Sequence, residues 1–381
     1  MTISGMTPTA KLLQQLVRIP SVNPEGNPGV ANPGEQACAE FIAKFLRQAG
    51  ANVQLQPVFK NRPNVIGVFK PKGKINTRLL LAPHTDTVSV LGMSIDPFAA
   101  KVKGGKLYGR GASDTKGPMA AMLQAVKEFF VSDTFKNSGL EITFVGLMGE
   151  EAGNYGAHAW AKKCPAYDLA IIGEPTDFKI VHAHKGCAWL KFSTKGRAVH
   201  ASTPANGRNA INAMLPVLAY VETILSKKIS SFTHRQLGAS TIVATVIHGG
   251  SKTNIIPDHC EIEVDLRFTP NLTVNKVLGF IRQDLKQAGL DATVSVISSS
   301  SALHTDANHQ LIKKILPHSK GLTTAPWFCD AAIFGLRGIP SVALGPGSIK
   351  QAHTADEFIK LADLEKGKDG YLQILRALAV R

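Results

Sequence analysis

The stretch Leu79-Leu-Leu-Ala-Pro-His84-Thr-Asp86-Thr-Val carries four apolar residues straight into a histidine and an aspartate two positions apart. A strand with one wet face alternates polar and apolar side chains; a short uninterrupted apolar run between turn signals reads instead as a strand covered on both faces. Similar runs occupy 64–69, 142–147 and 169–172. Upstream, Leu12, Leu13, Leu16 and Val17 form a helical apolar stripe, as do Cys38, Phe41, Ile42, Phe45 and Leu46 before Gly50. Between the runs at 79–82 and 142–147, Pro118 opens a helix with Met119, Met122, Leu123, Val126, Phe129 and Phe130 on its inner side. Strands alternating with helices predict an α/β layered domain.

The middle of the chain has another pattern. Strands are expected at 188–193, 240–247, 261–268 and 292–297, with helices at 206–224 and 274–288. The order βαββαβ predicts a ferredoxin-like α+β sandwich over 184–298, inserted into an α/β domain made of 1–183 and 299–381. In the last part Asp330 is expected to cap a short helix, 341–344 to be a strand, and Tyr371, Ile374, Leu375 and Leu378 to mark a final helix.

Composition narrows the function. No segment reaches the roughly 18 uninterrupted apolar residues of a membrane helix, and the N-terminal stretch has no signal-peptide pattern. Five scattered cysteines without a CxxC pair suit free thiols in a reducing, cytoplasmic setting. The net charge of +15 draws acidic partners, but the basic residues form no block and do not interleave with aromatics. A field that attracts carboxylate-bearing substrates explains the charge without nucleic acid.

Five polar clusters follow apolar strands or precede a helix: His84 and Asp86; Asp114 in a glycine-rich turn; Glu150-Glu151; Glu174; and His353 with Glu357. Each has an ordinary reading alone. A strand-end polar pair, an N-cap aspartate and a surface Glu-Glu are all common. Together they supply two histidines and several carboxylates in loops at the carboxyl ends of strands, where open α/β sheets build their sites. Such an inventory suits zinc, and two ions sharing a carboxylate would need about this many ligands. Adjacent glutamates repel each other unless a cation or proton compensates, which lets one bind metal while the other serves as general base.

In combination, PHTDTV (83–88), GRGASDTKGPMAAML (109–123), GEEAGNYGA (149–157), GEPT (173–176) and AHTADEF (352–358) resemble the co-catalytic zinc hydrolases. That family holds acetylornithine deacetylase, succinyl-diaminopimelate desuccinylase, aminoacylase and the glutamate carboxypeptidases. The resemblance covers nearly the whole chain, and it implies a catalytic domain with an inserted dimerisation domain and hence a homodimer. It implies that His84 and Glu174 hold one Zn²⁺, Glu151 and His353 the other, and Asp114 bridges them; Co²⁺ or Mn²⁺ accept the same ligands. Asp86 would orient His84, and Glu150 would be the general base. His200 would polarise the scissile carbonyl in a partner subunit's site. Asn254 and Arg267 would bind the substrate's carboxylate or carbonyl, and Gly345 and Gly347 would offer it backbone contacts. The substrate expected is a small N-acyl amino acid cleaved at a C–N bond other than a peptide bond, N-acetylornithine first. Succinyl-diaminopimelate, other N-acyl amino acids and dipeptides are the alternatives. An inactive metal-binding dimer is the reading of a different class.

Overall fold

The computed structural model describes residues 5–25 and 34–380, and it divides the chain into two compact units. The first takes Met1–His182, Thr305–Thr323 and Cys329–Arg381; the second takes Ala183–His304 and Thr324–Phe328.

The first unit is built on a mixed sheet, and fold and expectation agree. Four central strands run parallel in the order Leu140–Gly146, Thr77–Ala82, Leu169–Ile172, Ser341–Ala343. The hairpin Asn52–Phe59 and Arg62–Phe69 flanks them on one side and Ile180–His184 on the other, both antiparallel to their neighbours. Leu79 and Leu81 join the main core, while Leu80 and Ala82 are buried outside it, so the strand has no wet face. Helices Pro8–Val17, Glu35–Gln48, Lys116–Phe130 and Leu361–Ala379 share that core. Tyr155–Ala161 and Ala331–Gly335 pack on the sheet's strands without joining it, and so cover the opposite face.

The helix Lys116–Phe130 is the most deeply placed: every residue from 116 to 126 is buried. Full burial of a Leu, Met or Phe side chain stabilises by about 1.5–3 kcal/mol, so this helix anchors the glycine-rich turn that precedes it. The sheet's arrangement then fixes the site. All four parallel strands end at the same edge, and each is followed there by a loop bearing His84, Glu150 and Glu151, Glu174 or His353.

The second unit is a four-stranded antiparallel sheet in the order Thr241–Gly249, His259–Phe268, Gly186–Lys195, Ala292–Ser300. Helices Ala210–Tyr220 and Val274–Gln287 share its core. Chain order is βαββαβ, and the last strand runs three residues beyond the expected 292–297.

Candidate metal centre

Strand Thr77–Ala82 delivers His84 to an almost dry position, 2% exposed. Its Nδ1 lies 3.0 Å from the Asp86 carbonyl oxygen and 3.4 Å from Asp86 Oδ1. Its Nε2 lies 3.1 Å from Asp114 Oδ1. A proton on Nδ1 satisfies Asp86, which leaves the Nε2 lone pair facing a carboxylate oxygen. The other oxygen of Asp114 meets the second histidine, with His353 Nε2 at 3.3 Å. That nitrogen is also 3.3 Å from Glu151 Oε1. Asp114 thus stands between two imidazoles, one on each oxygen.

Among the described residues, three sets of potential ligand atoms lie within 4.8 Å of one another: His84, Asp114 and Glu174; Asp114, Glu151 and His353; and His84, Glu150 and Glu151. Asp114 is common to the first two. The spacings suit a small cation. Two donors about 2.0–2.1 Å from a tetrahedral zinc stand about 3.3 Å apart, which matches the His84–Asp114, His353–Asp114 and His353–Glu151 separations. Among the described residues Glu174 Oε1 is buried without a hydrogen-bond partner, and an acceptor in that state needs a proton or a cation. The donor set fits a pair of metal ions.

The electrostatics agree with the geometry. Burial, reinforced by neighbouring carboxylates, pushes Glu174 and Glu150 well above the usual carboxylate range, and Glu151 upward. Burial works against ionising Asp114, yet the hydrogen bonds of His353 and His84 outweigh it and hold its carboxyl low. The same bonds, from Asp114 first and Glu151 second, push His353 up to about 10. His84 is raised despite its burial by Asp114 and Asp86. So many acids around two imidazoles make a pocket that stabilises positive charge.

Backbone and buried side chains hold these groups in place. Asp86, fully buried, accepts from Glu150 N at 3.0 Å, Glu151 N at 3.1 Å and Asn23 Nδ2 at 2.8 Å. It therefore fixes both His84 and the Glu150–Glu151 turn. Glu357 accepts from the amides of Gly111, Ser113 and Asp114 and from Arg110 Nη1 at 2.8 Å, which ties the Asp114 turn to the His353 loop. Thr115 Oγ1 donates to the His84 carbonyl at 3.1 Å. Gly149 N donates to Glu35 Oε1 at 3.0 Å, and Glu35 is paired with Arg62.

Of the residues expected to contact substrate, Gly345 and Gly347 lie against Glu174 and Ser113, and Arg267, Asn254 and His200 belong to the second unit. Gly345 donates its amide to Thr176 Oγ1 at 3.1 Å, and its carbonyl accepts from Thr176 N and Phe178 N. Its backbone is occupied; the absence of a side chain lets it approach within contact of the Glu174 carbonyl. Gly347 has φ 88, a left-handed conformation that favours glycine. In the second unit, Arg267 donates from Nε and Nη2 to Asp265 of the same strand, at 2.9 and 3.1 Å. Asn254 accepts from Ala201 N through its carbonyl. His200 is exposed; its Nδ1 lies 2.7 Å from Ser202 Oγ and accepts from Ser202 N at 3.2 Å.

Asp330 corrects the expectation of a capping aspartate. It is the N-cap of Ala331–Gly335, but its side chain makes no cap bond and turns to Asn154 instead. It is 1% exposed, and burial raises it to about 6. Asn154, in the quoted 149–157 motif, and Asn23 touch this cluster, and motif reading assigned neither a part.

The sequence model of the family described as peptidase family M20/M25/M40 matches residues 80–377. Among solved structures, an M20 family metallo-carboxypeptidase from Sulfolobus solfataricus is 18% identical, covering 99% of this chain and 100% of that one with a TM-score of 0.79. A tripeptidase from Staphylococcus aureus is 23% identical over 98% of each chain, TM-score 0.76. The Bacillus subtilis YXEP protein, described as a dinuclear metal binding peptidase, is 13% identical over 98% of each, TM-score 0.70. At these identities the likeness is one of fold. The family match spans most of the chain and includes every residue of the carboxylate–histidine cluster, and the chain belongs to peptidase family M20/M25/M40, a family of metal-dependent hydrolases.

Proposed function

We propose that this chain is a cytoplasmic homodimer that uses two zinc ions to hydrolyse the amide bond of an N-acyl amino acid, N-acetylornithine foremost. The observation that carries the reading is Asp114, with each oxygen against a different histidine in two overlapping ligand sets. His84 and Glu174 hold one ion, Glu151 and His353 the other, and Asp114 is shared. Bound zinc supplies Lewis acidity and lowers the pKa of water toward neutrality. Glu150, at the edge of this cluster, takes the proton of the attacking water and returns it to the departing amine. His200 of a partner copy donates its Nε2–H to the developing oxyanion, a contact worth about 2.7–4 kcal/mol at comparable oxyanion holes. Asp86 holds the His84 tautomer.

The substrate reading rests on likeness between the segments 173–185 and 345–353 and those of acetylornithine deacetylases. Peptidases among the solved structures of this fold keep peptides as a second reading. Initial rates of zinc-loaded enzyme on N-acetyl-L-ornithine, N-succinyl-diaminopimelate, other N-acetyl amino acids and dipeptides separate them. A preference of about a hundredfold or more for acetylornithine is the expected result. Rates spread over the panel make it a general deacylase or dipeptidase. Bound zinc with no turnover on any compound leaves an inactive metal-binding dimer.

A further inference from the structure

The helices Tyr155–Ala161 and Ala331–Gly335 pack against each other, and each starts at a residue able to cap it. Neither does. Asn154 and Asp330 occupy the two N-cap positions, both side chains make no cap bond, and the two are bonded to each other, Asn154 Nδ2 to Asp330 Oδ1 at 2.9 Å. The same Asn154 Nδ2 donates to Glu150 Oε1 at 3.3 Å. Side chains of this type ordinarily serve the helix amides at such positions, so two neighbouring helices leave that role to other groups. Both residues are nearly inaccessible, at 3% and 1%. The amide presents its NH₂ to an oxygen of each carboxyl group, Asp330 Oδ1 and Glu150 Oε1. Among the described residues Asp330 Oδ2 has no hydrogen-bond partner, and the carboxyl group is held through its other oxygen.

We propose that Asn154, itself held by Asp330, is a positioning residue that sets the orientation of the Glu150 carboxylate, leaving the ligands untouched. The proposal rests on Glu150 being the general base. One NH₂ group has two protons in fixed directions 120° apart. With one anchored on Asp330, the other can point only where Glu150 now sits. A carboxylate on a flexible glutamate stem is thereby confined to one rotamer, and misplacement of a reacting group by about 1 Å can cost about a hundredfold in rate. The backbone of Asn154 is left-handed, φ 55, which asparagine and glycine tolerate. Asn154→Gly therefore removes the amide without straining the turn.

The test measures kcat, KM, bound zinc and thermal midpoint for Asn154→Gly, Asp330→Ala, Asp330→Asn, the double variant Asn154→Gly/Asp330→Ala, and Glu150→Gln. The expected result is a fall in kcat of about 10–100-fold for Asn154→Gly and Asp330→Ala, with KM within about threefold and two zinc ions retained. Asp330→Asn keeps an oxygen for Asn154 and should restore most of the rate. Because Asp330 acts through Asn154, the double variant should be no slower than Asn154→Gly alone. Additive losses, zinc loss from Asn154→Gly, or Asp330→Asn as damaging as Asp330→Ala would each overturn the chain of positions. If Glu150→Gln is inactive while Asn154→Gly turns over normally, this proposal fails and the hydrolase reading stands. If Glu150→Gln keeps its rate, the assignment of the base fails first.

Discussion

At Asp86 one side chain carries several tasks, since it faces His84 Nδ1 and receives the amides of both Glu150 and Glu151. A carboxylate behind a ligating histidine fixes its tautomer and raises its basicity, and removing such a partner costs about 10–100-fold in metal affinity. Asp86→Ala should weaken zinc by that factor in competition with a chelator; unchanged affinity would show that Asp86 only shapes the turn. The placement of Asp86 beside His84 was readable from the sequence, because a strand that continues puts residues two apart on one side. By the same rule the Asp265–Arg267 pair was readable: two residues apart on one strand, they share a face and satisfy each other. Asp330 was not readable, because cap rules are local and its partner Asn154 comes from a helix 176 residues away in sequence.

Among elements, the four parallel strands were legible because their central residues are buried on both faces, which makes the runs mostly apolar. Leu169–Ile172 is observed with the expected bounds. The strand Asn52–Phe59 lies at the sheet's edge with alternate residues exposed, and its half-polar sequence gave no such run. The strands Lys101–Lys103, Lys106–Tyr108 and Phe358–Lys360 are three residues each, too short to show a period. Glue between elements is invisible at this level: Glu357, just before the last of these strands, satisfies three amides and Arg110 while fully buried. Removing one partner of a buried charged pair costs about 3–5 kcal/mol because the other is left unmatched. Glu357→Ala should lose stability of that size in urea unfolding, and a loss below about 1 kcal/mol would mean the Asp114 turn holds itself.

For the whole molecule, the insertion was legible from a change of pattern, α/β giving way to βαββαβ and returning. In the second unit the edge strand Thr241–Gly249 exposes Val243, Val246 and Ile247, and the neighbouring helical run exposes Leu215 and Ile224. An exposed apolar edge strand is a template for another chain. Ile247→Asp should convert the proposed dimer to monomers in sedimentation and, with His200 no longer delivered to a partner, lower kcat; a dimer that persists would place the interface elsewhere.

One carboxylate shared by two ions is the centre of the proposed site, and the zinc content of purified Asp114→Ala beside the native chain tests it most directly. Two equivalents in the native protein and loss of both from Asp114→Ala, with the fold intact by circular dichroism, is the predicted result. A native chain that binds a single equivalent, or an Asp114→Ala variant that keeps two at native affinity, would contradict it.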